Sequence, residues 1–184
     1  MTDLDDDDPE PRQVIGIGLA TYAVMVAVAL GWLSCRERLA ELHTQAVGTH
    51  GPWLAAGAGV VTGVLMATAL AWLSPRSQML REYDAVVART FAGTGEAVTM
   101  LVVLGGAIAE ELLCRLAAQD AIGLPATVAL NSLLYSCIGG WRWLLIMAPH
   151  ALLLGLLVHF GLGLLASTTA NAIMNHLNLR RLRC

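Results

Sequence analysis

The chain has 184 residues, 57% hydrophobic and 14% charged, with a formal net charge of -3; its mean hydropathy of +0.64 is too high for an ordinary soluble domain and makes a bilayer the natural solvent. The negative balance belongs to one end, since Asp3, Asp5, Asp6, Asp7, Asp8 and Glu10 crowd the first ten residues and the remainder is mildly basic. All 11 basic residues are arginine, and no basic, aromatic-rich face is present, which excludes nucleic acid as a partner.

Residues 1–13 read as an acidic, disordered cytoplasmic tail. Residues 14–184 read as a single membrane domain: all-α, a polytopic bundle of about six transmembrane helices with interfacial amphipathic helices between them. A hydrocarbon core needs about 20 mostly apolar residues per helix. The first such run is 14–33, which the preceding acidic tail and the length of the run mark as an uncleaved anchor rather than a signal peptide. Residues 34–52 then predict a short amphipathic helix and a loop at the interface.

The second span is 53–73, where Gly59 and Gly63 have the small-xxx-small spacing that lets a neighbouring helix approach closely. After it, Ser74-Pro75 is a good helix start, and Met79, Leu80, Val86, Val87 and Phe91 are spaced along a polar helix suited to lying on the membrane surface. The remaining spans are 97–116, a shorter 124–139, 143–158 and 162–179. Eight arginines, Arg12, Arg76, Arg81, Arg89, Arg142, Arg180, Arg181 and Arg183, fall on one side of this arrangement; Arg36 and Arg38 are on the other, with Arg115 near a helix end. The positive-inside rule then puts both termini in the cytoplasm, as for a multi-pass protein of a bacterial-type inner membrane.

The four cysteines, Cys35, Cys114, Cys137 and Cys184, show neither metal spacing nor a paired framework. Cys184 is the last residue, whereas a prenylation box needs its cysteine fourth from the end. His43 and His50 fall in the first loop. His150 and His159 are nine apart, on nearly opposite helix faces, so they are not a ligand pair; His176 sits near the arginine-rich end. No HExxH motif is present, and neither metal nor cofactor is expected.

The third span holds the residues that a bilayer tolerates least. "GGAIAEELLCRL", residues 105–116, contains two adjacent glutamates. An ionised carboxylate in hydrocarbon costs on the order of 3 kcal/mol, so it must face a cavity, find a partner or take up a proton. Glu111 precedes Arg115 by four residues, the favourable order for a helix ion pair. Glu110 points about 100° away and has no such partner in its own helix, which leaves it free to act as a general base on water. Further on, Asn171 and Asn175 are four apart and share a helix face, from which they can donate into the same cavity or hydrogen-bond between helices.

These residues resemble the CPBP intramembrane proteases, a family that includes CAAX-processing endopeptidases and bacteriocin-immunity relatives. The likeness covers roughly residues 75–180 and rests on "EELLCR", which fits the family's EExxxR in a membrane helix after a surface helix, although Cys114 and Leu116 stand where Phe and Gly are usual. The family's aromatic-xxx-His looks like "YSCIG" here, with Tyr135 as the aromatic and Gly139 in the histidine's place. Its His-xxx-Asn looks like "NAIMN", with Asn171 in the histidine's place and Asn175 matching the Asn.

Carried over, the resemblance implies that Glu110 activates water, Glu111 and Arg115 organise the site, and Asn175 helps to stabilise the oxyanion. It further implies that Asn171 still donates a hydrogen bond where Gly139 donates none, and that the mechanism needs no metal. The leading expectation is thus an intramembrane endopeptidase that cuts a membrane-anchored protein or peptide near its C-terminus, in the lipid bilayer, alone or with a paralogous partner protein. The alternatives are a catalytically inactive binding or immunity protein, and a small transporter using Glu110 as a proton carrier. No inverted repeat supports the last.

Overall fold

Without water to satisfy them, backbone N–H and C=O groups must pair within their own segment, and in the computed structural model no strand occurs among the described residues. Those residues are 11–183; the acidic run 1–10 and Cys184 lie outside them, as do the side chains of residues 11, 12, 14 and 137–139. In chain order the helices are α1 (Pro11–Cys35), α2 (Leu42–Val47), α3 (Pro52–Leu73), α4 (Gln78–Thr90) and α5 (Glu96–Glu111). A π-helical segment (Leu112–Gln119) and a last turn, α6 (Asp120–Ile122), continue the α5 rod. Then come α7 (Leu124–Gly139), α8 (Trp141–His159) and α9 (Gly163–Arg183).

The protein is an all-α membrane helix bundle. Four rods are long and apolar enough to cross a membrane: Ile15–Cys35, Pro52–Arg76, Glu96–Ile122 and Trp141–His159. Helices α7 and α9, which the sequence reads as the fourth and sixth spans, run beside them; α7 has only 16 residues.

The rods alternate in direction, so the connections gather at two ends. At one end, named here for the first loop, Arg36 and Arg38 both hold Asp120, at 3.0 and 2.5 Å, and Thr49 N–H donates to Gly161 O at 2.8 Å. Leu33, Leu116 and Leu164 form a buried apolar seam. At the α4 end, Arg181 pairs with Asp84 at 2.5 Å, Arg183 reaches Thr94 and Thr99, and the rings of Tyr83 and Trp143 meet edge to face at 5.1 Å.

Small residues set the tightest packing. A Cβ on Gly59 would stand 2.5 Å from the carbonyl oxygen of Ala166, and one on Gly63 2.7 Å from that of Ala170. Helices α3 and α9 therefore touch backbone to backbone along the Gly59–Gly63 stripe. Gly140, at φ 79°, lets the chain reverse between α7 and α8 in a conformation costly for any residue with a Cβ.

Several boundaries differ from the sequence reading. Helix α1 starts at Pro11, so the last three residues assigned to the tail are helical. The surface helix does not start at Ser74-Pro75, which form a 3₁₀ turn closing α3. It starts at Gln78, capped by the Ser77 hydroxyl, which accepts from Leu80 N–H at 3.4 Å. The third span runs six residues beyond Leu116, through the π segment to Ile122. Helix α9 runs past residue 179, because Arg181 and Arg183 find partners that hold its last turn. Helix α1 packs against the motif's helix, where a Cβ on Gly106 would stand 2.8 Å from the Tyr22 hydroxyl oxygen.

Candidate functional site

Glu110 and Glu111 end the α-helical part of their rod, and the π segment starting at Leu112 carries Arg115 and Gln119. Widened helical turns of this kind recur at functional sites, since they re-aim side chains that a regular helix would hold in register. The ion pair expected within the helix is present: Arg115 Nε lies 3.4 Å from Glu111 Oε2. It is deeply buried, with Glu111 1% and Arg115 2% exposed. It is an electrostatic contact without hydrogen-bond geometry, and Arg115 Nε, Nη1 and Nη2 all lack a hydrogen-bond partner among the described residues.

Glu110 faces the other way and finds its partners on two other helices. The Tyr135 hydroxyl on α7 donates to Oε1. The Asn171 amide on α9 donates to Oε2 at 3.1 Å and reaches Glu111 Oε1 at 3.4 Å. Asn175, one turn further along α9, donates to Asn171 Oδ1 at 2.9 Å. All five residues singled out from the sequence, Glu110, Glu111, Arg115, Asn171 and Asn175, are thus joined in one network.

Sequence reasoning missed three further members. Tyr135 was matched only as a motif aromatic, yet it binds Glu110 directly. Asn131, one turn earlier on α7, donates to Cys114 Sγ at 3.5 Å, so that cysteine is more than an apolar filler. His150 on α8 lines the same small cavity as the glutamates, and its buried Nε2 has no hydrogen-bond partner among the described residues. A signal for it exists: a lone titratable residue within the apolar run "IMAPHALLL" raises the same cost argument as a lone glutamate.

Spaces adjoin this network on several sides, and three of them touch the glutamates or Arg115. A small cavity of about 10 Å³ is lined by Glu110, Glu111, Arg115, Asn131, Tyr135 and His150, room for about one water. A groove of about 370 Å³ leads from the α4 end to Glu110; Tyr22, Tyr83, Phe91 and Trp143 give it aromatic walls, and Asn175 and His150 face it. A polar vestibule of about 640 Å³ lies at the first-loop end, with Arg115 and Gln119 on its wall.

On the groove's wall, burial and then the charge of Asp84 push the Tyr83 phenol up to about 12, so it is a neutral hydrogen-bonding group there. At the vestibule, hydrogen bonds from Arg38 hold the Glu41 carboxyl below its ordinary range. Among the described residues no three His, Cys, Asp or Glu side chains gather into a metal-holding set.

Chemically, the site offers a carboxylate beside a water-sized cavity, with amide, phenol and imidazole groups around it. Carboxylate and water can exchange a proton, and the amides can donate to an oxygen that gains charge. Compared with known protein families, with curated proteins and with solved structures, the chain matches none.

Proposed function

We propose that the protein is an intramembrane endopeptidase of CPBP type, cutting a membrane-anchored protein or peptide near its C-terminus with water activated by Glu110. One observation carries this reading: Glu110, half-buried in the bundle, stands where a 370 Å³ groove meets a water-sized cavity, with Asn171 on its carboxylate and Asn175 beside it. A peptide segment enters along the aromatic groove. Glu110 takes a proton from water, the hydroxide attacks the scissile carbonyl carbon, and the tetrahedral oxyanion accepts hydrogen bonds from Asn175, whose amide has a second N–H to give. Glu110 then returns the proton to the leaving nitrogen as the C–N bond breaks. His150 supplies a donor that Gly139 cannot. Glu111 and Arg115 hold the rod's turn in place.

In this reading the α4 end, with most of the arginines, faces the cytoplasm of a bacterial-type inner membrane, and both termini lie there. The test is cleavage of a membrane-anchored peptide library by the purified protein in liposomes. Glu110→Gln is expected to lower the rate by about 10²- to 10⁴-fold, the usual weight of a general base, while still inserting. Unchanged cleavage refutes the mechanism.

A second reading, a catalytically inactive protein that holds a membrane peptide without cutting it, is favoured by Asn171 and Gly139 standing where the family's histidines would be. It expects Glu110→Gln to leave peptide capture and cellular phenotype intact.

A further inference from the structure

Eight buried polar side-chain atoms lack a hydrogen-bond partner among the described residues: Gln119 Oε1, Arg115 Nε, Nη1 and Nη2, Glu111 Oε2, His150 Nε2, Asp84 Oδ1 and Arg181 Nε. The last two belong to the ion pair at the α4 end. The other six belong to four residues: Gln119 and Arg115, which line the vestibule, and Glu111 and His150, which line the small cavity beside Glu110. Leaving a polar group unsatisfied in a protein interior costs about 1–3 kcal/mol, more when it is charged, and ordered water is the usual remedy where the site is polar and large enough.

We propose that water reaches Glu110 from the first-loop end, opposite the mouth of the aromatic groove, through the vestibule and along a polar file past Gln119 and Arg115. The vestibule supplies the volume: Thr44, Thr49, Gln119 and Asp120 line it, and its wall includes Arg115. Arg115 belongs to that wall and also to the small cavity lined by Glu110, Glu111 and His150. It is the residue common to the two spaces, and its buried guanidinium lies on the file between them.

Gly155 lets α8 pack closely against this side of the file. Gln119 Nε2 donates to its carbonyl at 3.0 Å, and a Cβ there would clash with Leu124 Cδ1 and stand 2.9 Å from Gln119 Oε1 and 3.5 Å from Arg115 Nη1. The groove, by contrast, has aromatic walls and opens at the opposite end. The two approaches suit two reactants, a largely apolar chain from one side and water from the other. Only this division of labour rests on the protease reading; the file itself does not.

The test reads access without reading catalysis. In protein whose four cysteines are replaced by alanine, Leu154→Cys puts a thiol on the wall of the small cavity, and Val158→Cys puts one on the vestibule wall. Silver ion, a small hydrated thiol reagent, is added to one side of liposomes holding the oriented full chain. The Leu154→Cys thiol is expected to react from the first-loop side, and adding Gln119→Leu should slow it by about tenfold or more, since an apolar rung penalises a hydrated ion. Reaction from the α4 side at an equal rate, or no effect of Gln119→Leu, overturns the proposal. If Leu154→Cys fails to fold, the same comparison is made on Ala151→Cys, on the same cavity wall; Val158→Cys, at the vestibule, should react from the first-loop side whatever stands at position 119, and its failure to do so equally overturns the proposal. Labelling as expected from a protein that cuts no peptide keeps the file and removes the protease reading; cleavage without sided labelling does the reverse.

Discussion

The side-chain nitrogen of Asn171 stands 3.1 Å from one carboxylate oxygen of Glu110 and 3.4 Å from one of Glu111, so a single fully buried amide bridges two adjacent acids. Its own oxygen is fixed by the Asn175 amide at 2.9 Å, which leaves the nitrogen no choice but to face the glutamates. Asn171→Ala should therefore cost about 1–3 kcal/mol of stability, the usual penalty for stranding buried acceptors. Thermal unfolding in detergent measures it. Asn175→Ala, one step removed, should cost less. If the protein cleaves peptides, Asn175→Ala should also slow turnover by about 10²- to 10³-fold, the cost of losing an oxyanion donor.

Arg115 is buried with one acidic partner, 3.4 Å away. Removing one member of a buried pair leaves an uncompensated charge and typically costs about 3–5 kcal/mol. Arg115→Met should therefore unfold the bundle or lower its melting temperature steeply. Adding Glu111→Gln to that variant should restore much of the loss, because the stranded charge goes too. A double-mutant cycle on Arg115 and Glu111 reads the coupling directly; additive losses would mean that the pair does not act as a unit.

The architecture was legible because the bilayer imposes a length on apolar runs: 53–73 agrees with α3 to within a residue at each end, and 124–139 coincides with α7. The Glu111–Arg115 pairing was legible from their spacing within one helix. What escaped depended on contacts between helices. Tyr135 and Glu110 are 25 residues apart, and no local pattern links them. His150 was weighed only against His159, nine residues along its own helix, whereas the groups it faces belong to α5 and α7. The π segment has no sequence signature of its own, since its residues, "LLCRLAAQ", would serve a regular helix equally well.

The first-loop end should respond to acid. Arg38 hydrogen-bonds Glu41 and lowers the pKa of its carboxyl in the folded protein. A carboxyl lowered by folding stabilises the fold when ionised, so this contribution is fully present above the ordinary carboxylate range. It is lost as pH falls through and below that range. Both side chains are solvent-accessible, so the effect is small and screened by salt. Glu41→Gln should thus shift the melting temperature slightly at neutral pH, less at 1 M salt, and not at all at a pH below the lowered carboxyl. A shift that persists unchanged in strong acid would rule out the ionic origin.

The α3–α9 contact gives a prediction with its control in the same helix. Gly59 and Gly63 bring the α3 backbone against Ala166 and Ala170, where an added methyl would stand 2.5 and 2.7 Å from carbonyl oxygens. Those atoms are backbone of a packed helix and cannot rotate aside. Gly57, two residues before Gly59 on the same helix, has nothing within 4 Å of the same construction. Gly59→Ala or Gly63→Ala should force the helices apart at a cost of about 1–3 kcal/mol, as overpacking does. Gly57→Ala should be neutral or slightly stabilising, because alanine is the better helix former. Since α9 carries Asn171 and Asn175, the displacement caused by Gly63→Ala should also move the amides off Glu110, so a loss of peptide cleavage or capture should accompany the loss of stability. Equal melting temperatures for the Gly57 and Gly63 variants would show that the close approach does not hold α9 in place.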